Sequence, residues 1–389
     1  MSKMTSVINY LLKYNKIMEN FGLFTEPWVK SPYRERDSAA CGLIGFINKD
    51  KKRVSGSVIK KAITNQHDRG NGLGGGFAAY GIYPEHEDLY ALHLMYDNQK
   101  NVKDTEDILD KCVHIHHQET IPHAKTDQIF DHPYFKRYFT EPNPEAMRKG
   151  INPDEYMVSV VMEINIKAEG AFVVSSGKNM GAFKGVGFPE DIADFFQLDH
   201  YEGYIWTAHN RFPTNTPGWW GGAHPFTLLD KSIVHNGEIS SYGINKRYLD
   251  THGYICTLMT DTEVVTYLID FLHRKNKLSY EQTFSVLAPH FWKDIDNLNE
   301  EERIKYTLLR SVYGGAALNG PFAFLYAFNG GLIGINDRVK LRPLVIGKKN
   351  NTVYMSSEEA SIREICPDAE DCYAPHAGDA VIVYLDEEQ

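Results

Sequence analysis

Cys41-Gly42-Leu43-Ile44-Gly45-Phe46-Ile47-Asn48 is the stretch on which the fold turns. It reads as a buried strand, with another backbone expected close by at Gly42 and Gly45. Downstream, residues 54–66 read as a helix that ends near His67-Asp68-Arg69-Gly70. The glycine-rich run 72–76 then reads as a turn feeding a strand. It lacks the lysine and hydroxyl of a phosphate-binding P-loop. Upstream the character is different. Ile8, Leu11, Leu12, Tyr14 and Ile17 fall at helical spacing, so a short amphipathic helix is expected there. An extended segment punctuated by Pro27 and Pro32 follows, then a charged patch at 34–37 and the small residues Ser38-Ala39-Ala40. The division expected is a leader over 1–40 and a domain over 41–389.

Residues 85–155 are polar and irregular and hold His114, His116, His117, His123 and His132. Alternation would set His114 and His116 on one face of a strand, where a solvated strand and loop is the plain alternative to a metal site. From 156 the pattern is read as strand-like at 157–162, 171–176 and 204–208. A helix follows at 262–274, with Val264, Val265, Leu268, Ile269 and Leu272 at its apolar positions. Late strands are expected at 322–329, 331–335, 344–347, 352–356 and 380–385, and a helix starting near Ser357. Many strands with few helices point to stacked sheets covered by helices, an α+β class.

The 389 residues are 42% hydrophobic and 24% charged, enough apolar material for a large core. A formal charge of -10 excludes the basic footprint that non-specific nucleic-acid binding needs. Five cysteines, an odd and sparse set, imply no disulfide framework and suit a reducing compartment. Cys366 and Cys372 lack the second pair a zinc site would use. No run approaches the roughly 20 apolar residues that span a membrane. The N-terminus does not read as a secretory signal, so the location expected is cytoplasmic.

Five short segments carry chemistry: Ala40-Cys41-Gly42, His209-Asn210-Arg211-Phe212-Pro213-Thr214, Ala223-His224-Pro225, Val234-His235-Asn236-Gly237-Glu238-Ile239 and Thr260-Asp261-Thr262-Glu263. Cys41 serves either as a small buried hydrophobe or as a thiolate nucleophile, which attacks amides well. Asn236-Gly237 suits a tight turn. The same turn would aim a side-chain N–H and a backbone N–H at one point, as an oxyanion hole requires. Arg211 is either a surface or ion-paired arginine or a fork for a carboxylate. Asp261 is either a helix N-cap or a counter-charge for a substrate ammonium.

Together these segments resemble the class II, N-terminal-nucleophile glutamine amidotransferases. Arg211 to Asn236 is 25 residues and Asn236 to Asp261 another 25, similar to that family's spacing. Arg211-x-x-Thr214, Ala223-His224-Pro225, His235-Asn236-Gly237 and Thr260-Asp261-Thr262-Glu263 match in order. His67-Asp68-Arg69-Gly70 resembles the family's Arg-Gly segment after the first helix. Asn336-Asp337 through Arg342-Pro343-Leu344, followed by Met355-Ser356-Ser357-Glu358, resembles its late strand pair. The match covers about 41–385. Within the family, Arg211-Phe212-Pro213-Thr214 and His235-Asn236-Gly237-Glu238-Ile239 look most like the amidotransferase domain of glutamate synthases, especially the separate-subunit archaeal type.

The resemblance implies a four-layer αββα sandwich with an insertion, placed within 85–185. It implies that removal of 1–40 exposes the α-amine of Cys41 as base for its own thiol. Asn236 and Gly237 would hold the oxyanion, Arg211 and Thr214 the α-carboxylate and Asp261 the α-ammonium of L-glutamine, while His224 shapes the pocket or is simply packed. No cofactor or metal is expected on this chain. Ammonia would pass to a synthase partner, with flavin and iron–sulfur groups on other chains.

Three departures stand out. Cys41 to Arg211 is 170 residues, longer than in compact relatives. Phe212 replaces the usual Trp or Tyr. Read from Met1, Cys41 is acylated by Ala40, which the resemblance treats as a precursor. The rival readings are a hydrolase acting on another amide, which Arg211 and Asp261 disfavour, and a non-catalytic or zymogen subunit locked by its leader.

Overall fold

The computed structural model describes residues 40–213 and 218–386. The amphipathic helix expected over 8–17, most of the leader and Thr214 therefore lie outside the described residues. Strands and helices are each numbered along the chain.

The central sheet is antiparallel and seven-stranded. Its order is β17 (Glu370–Tyr373), β15 (Val345–Lys349), β16 (Thr352–Ser356), β1 (Gly42–Asn48), β10 (Ile205–Asn210), β3 (Gly75–Tyr80) and β8 (Met180–Gly185). A second antiparallel sheet has the order β11 (Phe226–Leu228), β12 (Lys231–Gly237), β13 (Phe322–Phe328), β14 (Gly331–Asn336) and β18 (Val381–Tyr384). Leu43 and Ile47 of β1 pack with Val234 of β12 and Leu325 and Ala327 of β13 in one apolar layer between the sheets. Ile44 and Phe46 point the other way, into a second cluster. Both faces of β1 are thus covered, which is why its sequence is apolar without alternation. Gly45 is required there: a Cβ would come 2.9 Å from Trp206 O and 3.0 Å from Leu325 Cδ1.

Helices α1 (Gly56–Thr64), α4 (Pro189–Phe195) and α10 (Glu359–Ile365) cover the outer face of the seven-stranded sheet. On the outer face of the second sheet lie α6 (Asp261–Ile269), which continues as a π-helical stretch over Asp270–Lys275, and α7 (Tyr280–Leu287). Tyr280 of α7 packs, tilted, against Phe328 of β13, and Phe284 meets Tyr326 edge-on. Helices α5 (Tyr242–Asp250), α8 (Trp292–Asp296) and α9 (Glu300–Val312) flank this layer. The result is the αββα order of layers, richer in helix than the sequence reading because 280–312 folds as α7, α8 and α9.

Most of 85–185 builds a separate four-stranded sheet in the order β5 (Val113–Thr120), β6 (Tyr134–Pro142), β4 (Tyr90–Tyr96) and β7 (Ala171–Ser175), before β8 returns to the seven-stranded sheet. Its helices are α2 (Val102–Cys112) and α3 (Pro153–Lys167), and a two-stranded ribbon of β2 (Val54–Ser55) and β9 (Glu202–Gly203) lies elsewhere. The strand expected at 157–162 is a correction: those residues are the middle of α3. Asn152 caps the helix by accepting the Asp154 N–H, Pro153 occupies the first turn, and Asp154 and Glu155 follow. These start signals, with Met157, Val160, Val161 and Ile164 buried on one helical face, outweigh the β preference of the valines. His114 and His116 do lie on β5, both exposed. Among the described residues no group of three or more His, Cys, Asp or Glu side chains is placed to hold a metal. No helix among them is long and apolar enough to cross a membrane.

Candidate active site

Strand pairing assembles the site. In the antiparallel register of β1 and β10, Gly42 faces Asn210. The next residues outward, Cys41 and Arg211, therefore emerge at the same end of the sheet. The Phe212 N–H donates to Cys41 Sγ at 3.2 Å. Arg69, just after α1, fixes the Cys41 main chain by donating from Nε to its carbonyl at 3.0 Å, and pairs through Nη1 with Glu358.

Cys41, Arg211, His224, Gly237 and Asp261 line one cavity of about 290 Å³, together with Phe212 and Glu238. Five of the seven residues singled out in the sequence thus converge, although they come from the head of β1, the ends of β10 and β12, the loop before β11 and the start of α6. Asn236 does not line this cavity. It is fully buried one residue back, its Nδ2 donating to Ser357 Oγ at 3.4 Å. Thr214 lies outside the described residues.

Two local expectations need correction. Asn236-Gly237 is not a tight turn: both are the last residues of β12, paired with Ala323 and Phe322 of β13. Gly237 is nonetheless obligatory, with φ at +130° and space for a Cβ closed by the Pro321 carbonyl oxygen at 2.0 Å. Asp261 is not the N-cap of α6. Thr260 takes that role, accepting the Glu263 N–H at 3.1 Å, so Asp261 is the first helical residue. Its carboxylate accepts the Ile239 N–H at 2.9 Å and the Thr262 hydroxyl at 3.1 Å.

The electrostatics follow from burial. Desolvation pushes the Cys41 thiol up, while the Phe212 N–H and the charges of Arg211 and Arg342 oppose it. Arg211 is 4% exposed and donates to Leu73 O at 3.4 Å. Beneath the cavity lie groups the sequence reading passed over. His209 packs against His224 with ring centroids 4.0 Å apart, and His235, which also reaches the cavity wall, sits beside Asp261. Buried Lys184 donates to the carbonyls of Gly221 and Pro225, which brace the loop carrying His224. Burial brings Lys184 down to about 7 and Glu263 up to about 7. His209, His235 and Thr262 stood inside the quoted segments. A threonine in a first helical turn, however, reads as capping, and nothing local distinguishes a buried lysine in a strand.

Two face-packed antiparallel sheets between helical layers, with a cysteine at the head of a central strand, define the αββα sandwich of the N-terminal-nucleophile hydrolases. The chain belongs to the class II glutamine amidotransferases: the model of that family matches residues 114–369. That span includes Arg211, His224, Asn236, Gly237 and Asp261; Cys41 precedes it. An uncharacterised protein of Archaeoglobus fulgidus is 50% identical over 351 residues, covering 90% of this chain and 93% of that one. A protein named putative glutamine amidotransferase from Methanothermobacter thermautotrophicus is 25% identical, covering 85% of this chain and 95% of its own. The amidophosphoribosyltransferase of Methanocaldococcus jannaschii is 29% identical over 50% of this chain, which spans only 36% of that longer relative.

Proposed function

We propose that this chain hydrolyses the side-chain amide of L-glutamine with Cys41 as nucleophile. The observation that carries the reading is a single small cavity bounded by a thiol, a guanidinium and a carboxylate. An amino acid's α-carboxylate and α-ammonium need those two charges, and its side-chain amide would meet the thiol. At about 290 Å³ the cavity is at the lower end of the roughly 300–1,000 Å³ typical of ligand pockets, in keeping with one small amino acid.

The chemistry follows from the environment of the thiol. A thiol pushed up by burial is a weak nucleophile at neutral pH unless a base takes its proton. In this proposal, removal of 1–40 frees the Cys41 α-amine, with a reference pKa of about 7.7–8.0, to be that base. Sγ then bonds to the amide carbon and the carbonyl electrons move to oxygen. The Gly237 N–H, with Asn236 behind it, stabilises that charge. The amine returns the proton to the departing ammonia, and water cleaves the glutamyl thioester to glutamate. Arg211 and Thr214 hold the α-carboxylate, Asp261 the α-ammonium, and His224 closes the floor.

Ammonia passes to a synthase partner in this proposal, glutamate synthase-like by the motifs around Arg211 and Asn236. The flavin and iron–sulfur groups sit on that partner, and this chain, cytoplasmic, carries no cofactor. The test joins intact mass to glutaminase assay. A mass starting at Cys41, with turnover lost in Cys41→Ser, supports the proposal. A full-length mass with no turnover instead supports the zymogen or non-catalytic reading. Glutamine turnover that survives Cys41→Ser overturns the nucleophile assignment.

A further inference from the structure

Thr262 is fully buried in the first turn of α6, and three side chains meet at its hydroxyl. Asp261 Oδ1 lies at 3.1 Å, His224 Nε2 at 3.0 Å and His235 Nδ1 at 3.1 Å. A hydroxyl has one proton and two lone pairs, and a carboxylate can only accept. The Thr262 proton therefore goes to Asp261, and both imidazoles must donate. This proton inventory sets His224 as the Nε2–H tautomer and His235 as the Nδ1–H tautomer. The opposite nitrogens, His224 Nδ1 and His235 Nε2, meet no partner among the described residues. That is what neutral rings in these tautomers leave bare. Burial also drives both imidazoles below the ordinary histidine range. His209 completes the assembly: its Nε2 lies 2.7 Å from the His235 carbonyl and its ring packs, tilted, against His224.

We infer that Thr262 is a positioning residue that aims the Asp261 carboxylate into the cavity, with His224 and His235 fixing the direction of its proton. The inference rests on reading the cavity as a site for an amino-acid head group. Two donors hold the carboxylate, the Ile239 N–H on Oδ2 and the Thr262 hydroxyl on Oδ1. The hydroxyl is the better donor for accepting two N–H bonds itself. Without it the Ile239 N–H alone holds Asp261, through Oδ2, and Oδ1 is no longer fixed. His224 and His235, which also line the cavity, then bear on the substrate ammonium through Thr262 and Asp261, with no proton transfer of their own.

The test uses the whole protein, with Cys41 exposed wherever turnover is read, as Thr262→Val, which removes the hydroxyl, and Thr262→Ser, which keeps it. Loss of a hydrogen bond to a charged group predicts a KM for L-glutamine, and a Kd for L-glutamate, raised about tenfold or more in the valine variant. The kcat stays within about twofold, the signature of lost binding that is uniform between ground and transition states. Serine restores wild-type values, and valine adds nothing further in an Asp261→Asn background. Ring-nitrogen NMR of histidine-labelled protein reports the two tautomers without any need for turnover. Equal losses in the valine and serine variants, an additive effect on Asp261→Asn, or either imidazole as the opposite tautomer overturns the inference. Absence of glutamine turnover in the wild-type chain counts against the glutaminase reading alone, because L-glutamate affinity and tautomers still decide the role of Thr262.

Discussion

Gly237→Ala is the substitution whose outcome the geometry fixes most tightly. A Cβ at this position would sit 2.0 Å from Pro321 O and 2.9 Å from its carbonyl carbon, whereas ordinary contact begins at 3.4 Å. The two segments would have to part by about 1.4 Å. They are not free to do so. Pro321 O accepts the Glu238 N–H at 2.9 Å, and Gly237 is paired with Phe322. The backbone also stands at φ +130°, which alanine adopts only under strain. Strain of about 1–3 kcal/mol and overpacking of similar size together predict about 2–6 kcal/mol of lost stability. Displacement of the cavity wall by about 1 Å would also cost glutamine turnover on the order of 10²-fold. Urea denaturation and a glutaminase assay read the two effects. Gly253→Ala is the control: φ there is +83° with nothing within 4 Å, so it carries the conformational penalty without the clash. A Gly237→Ala loss no larger than that of Gly253→Ala would refute the steric argument. Wild-type turnover in a displaced Gly237→Ala site would refute the assignment of its N–H.

Three further outcomes are expected. Arg211→Lys keeps the charge but not the planar fork, so KM for glutamine should rise about 10- to 100-fold with a smaller change in kcat; an unchanged KM in steady-state kinetics removes Arg211 from carboxylate binding. His93 is buried between Tyr83 OH at 2.8 Å and Ala182 O at 3.2 Å, and burial holds it down to about 3. Between pH 6.5 and 3 the unfolded chain binds a proton there that the native ring does not, so stability is lost as pH falls through that window. His93→Gln should flatten the dependence of the urea midpoint between pH 7 and 4, and a dependence parallel to wild type contradicts the assignment. Leu325→Ala opens the layer between the two sheets and should cost about 2–5 kcal/mol, read as a lowered urea midpoint.

Some of this molecule is local enough to be legible in the chain. The strand at Cys41, the helix before His67 and the late strands are each announced by their own periodicity and their own glycines, because burial of a strand or one helical face constrains consecutive residues. The segments around Arg211, Asn236 and Asp261 could be picked out because several side chains of suitable chemistry sit in short runs. Where two local signals compete, the chain alone misleads. At 157–162 the valines favour a strand, yet Asn152-Pro153 starts a helix whose buried face decides the matter.

What only the tertiary structure decides is which groups meet. Register across β1 and β10 brings Cys41 to the same end of the sheet as Arg211. The pairing of β12 with β13 makes Asn236-Gly237 a strand end where the dipeptide alone suggests a turn. A cap at Thr260 frees the Asp261 carboxylate for the cavity. Lys184 and His209 are joined to the site by burial among residues far away in the chain, and Thr262 by three hydrogen bonds, two of them to side chains more than 25 positions upstream. Sequence patterns report the surroundings of a residue along its own element. A hydroxyl's partners, a desolvated lysine and the space left for a Cβ depend on segments that approach from elsewhere, and those exist only once the sheets have packed.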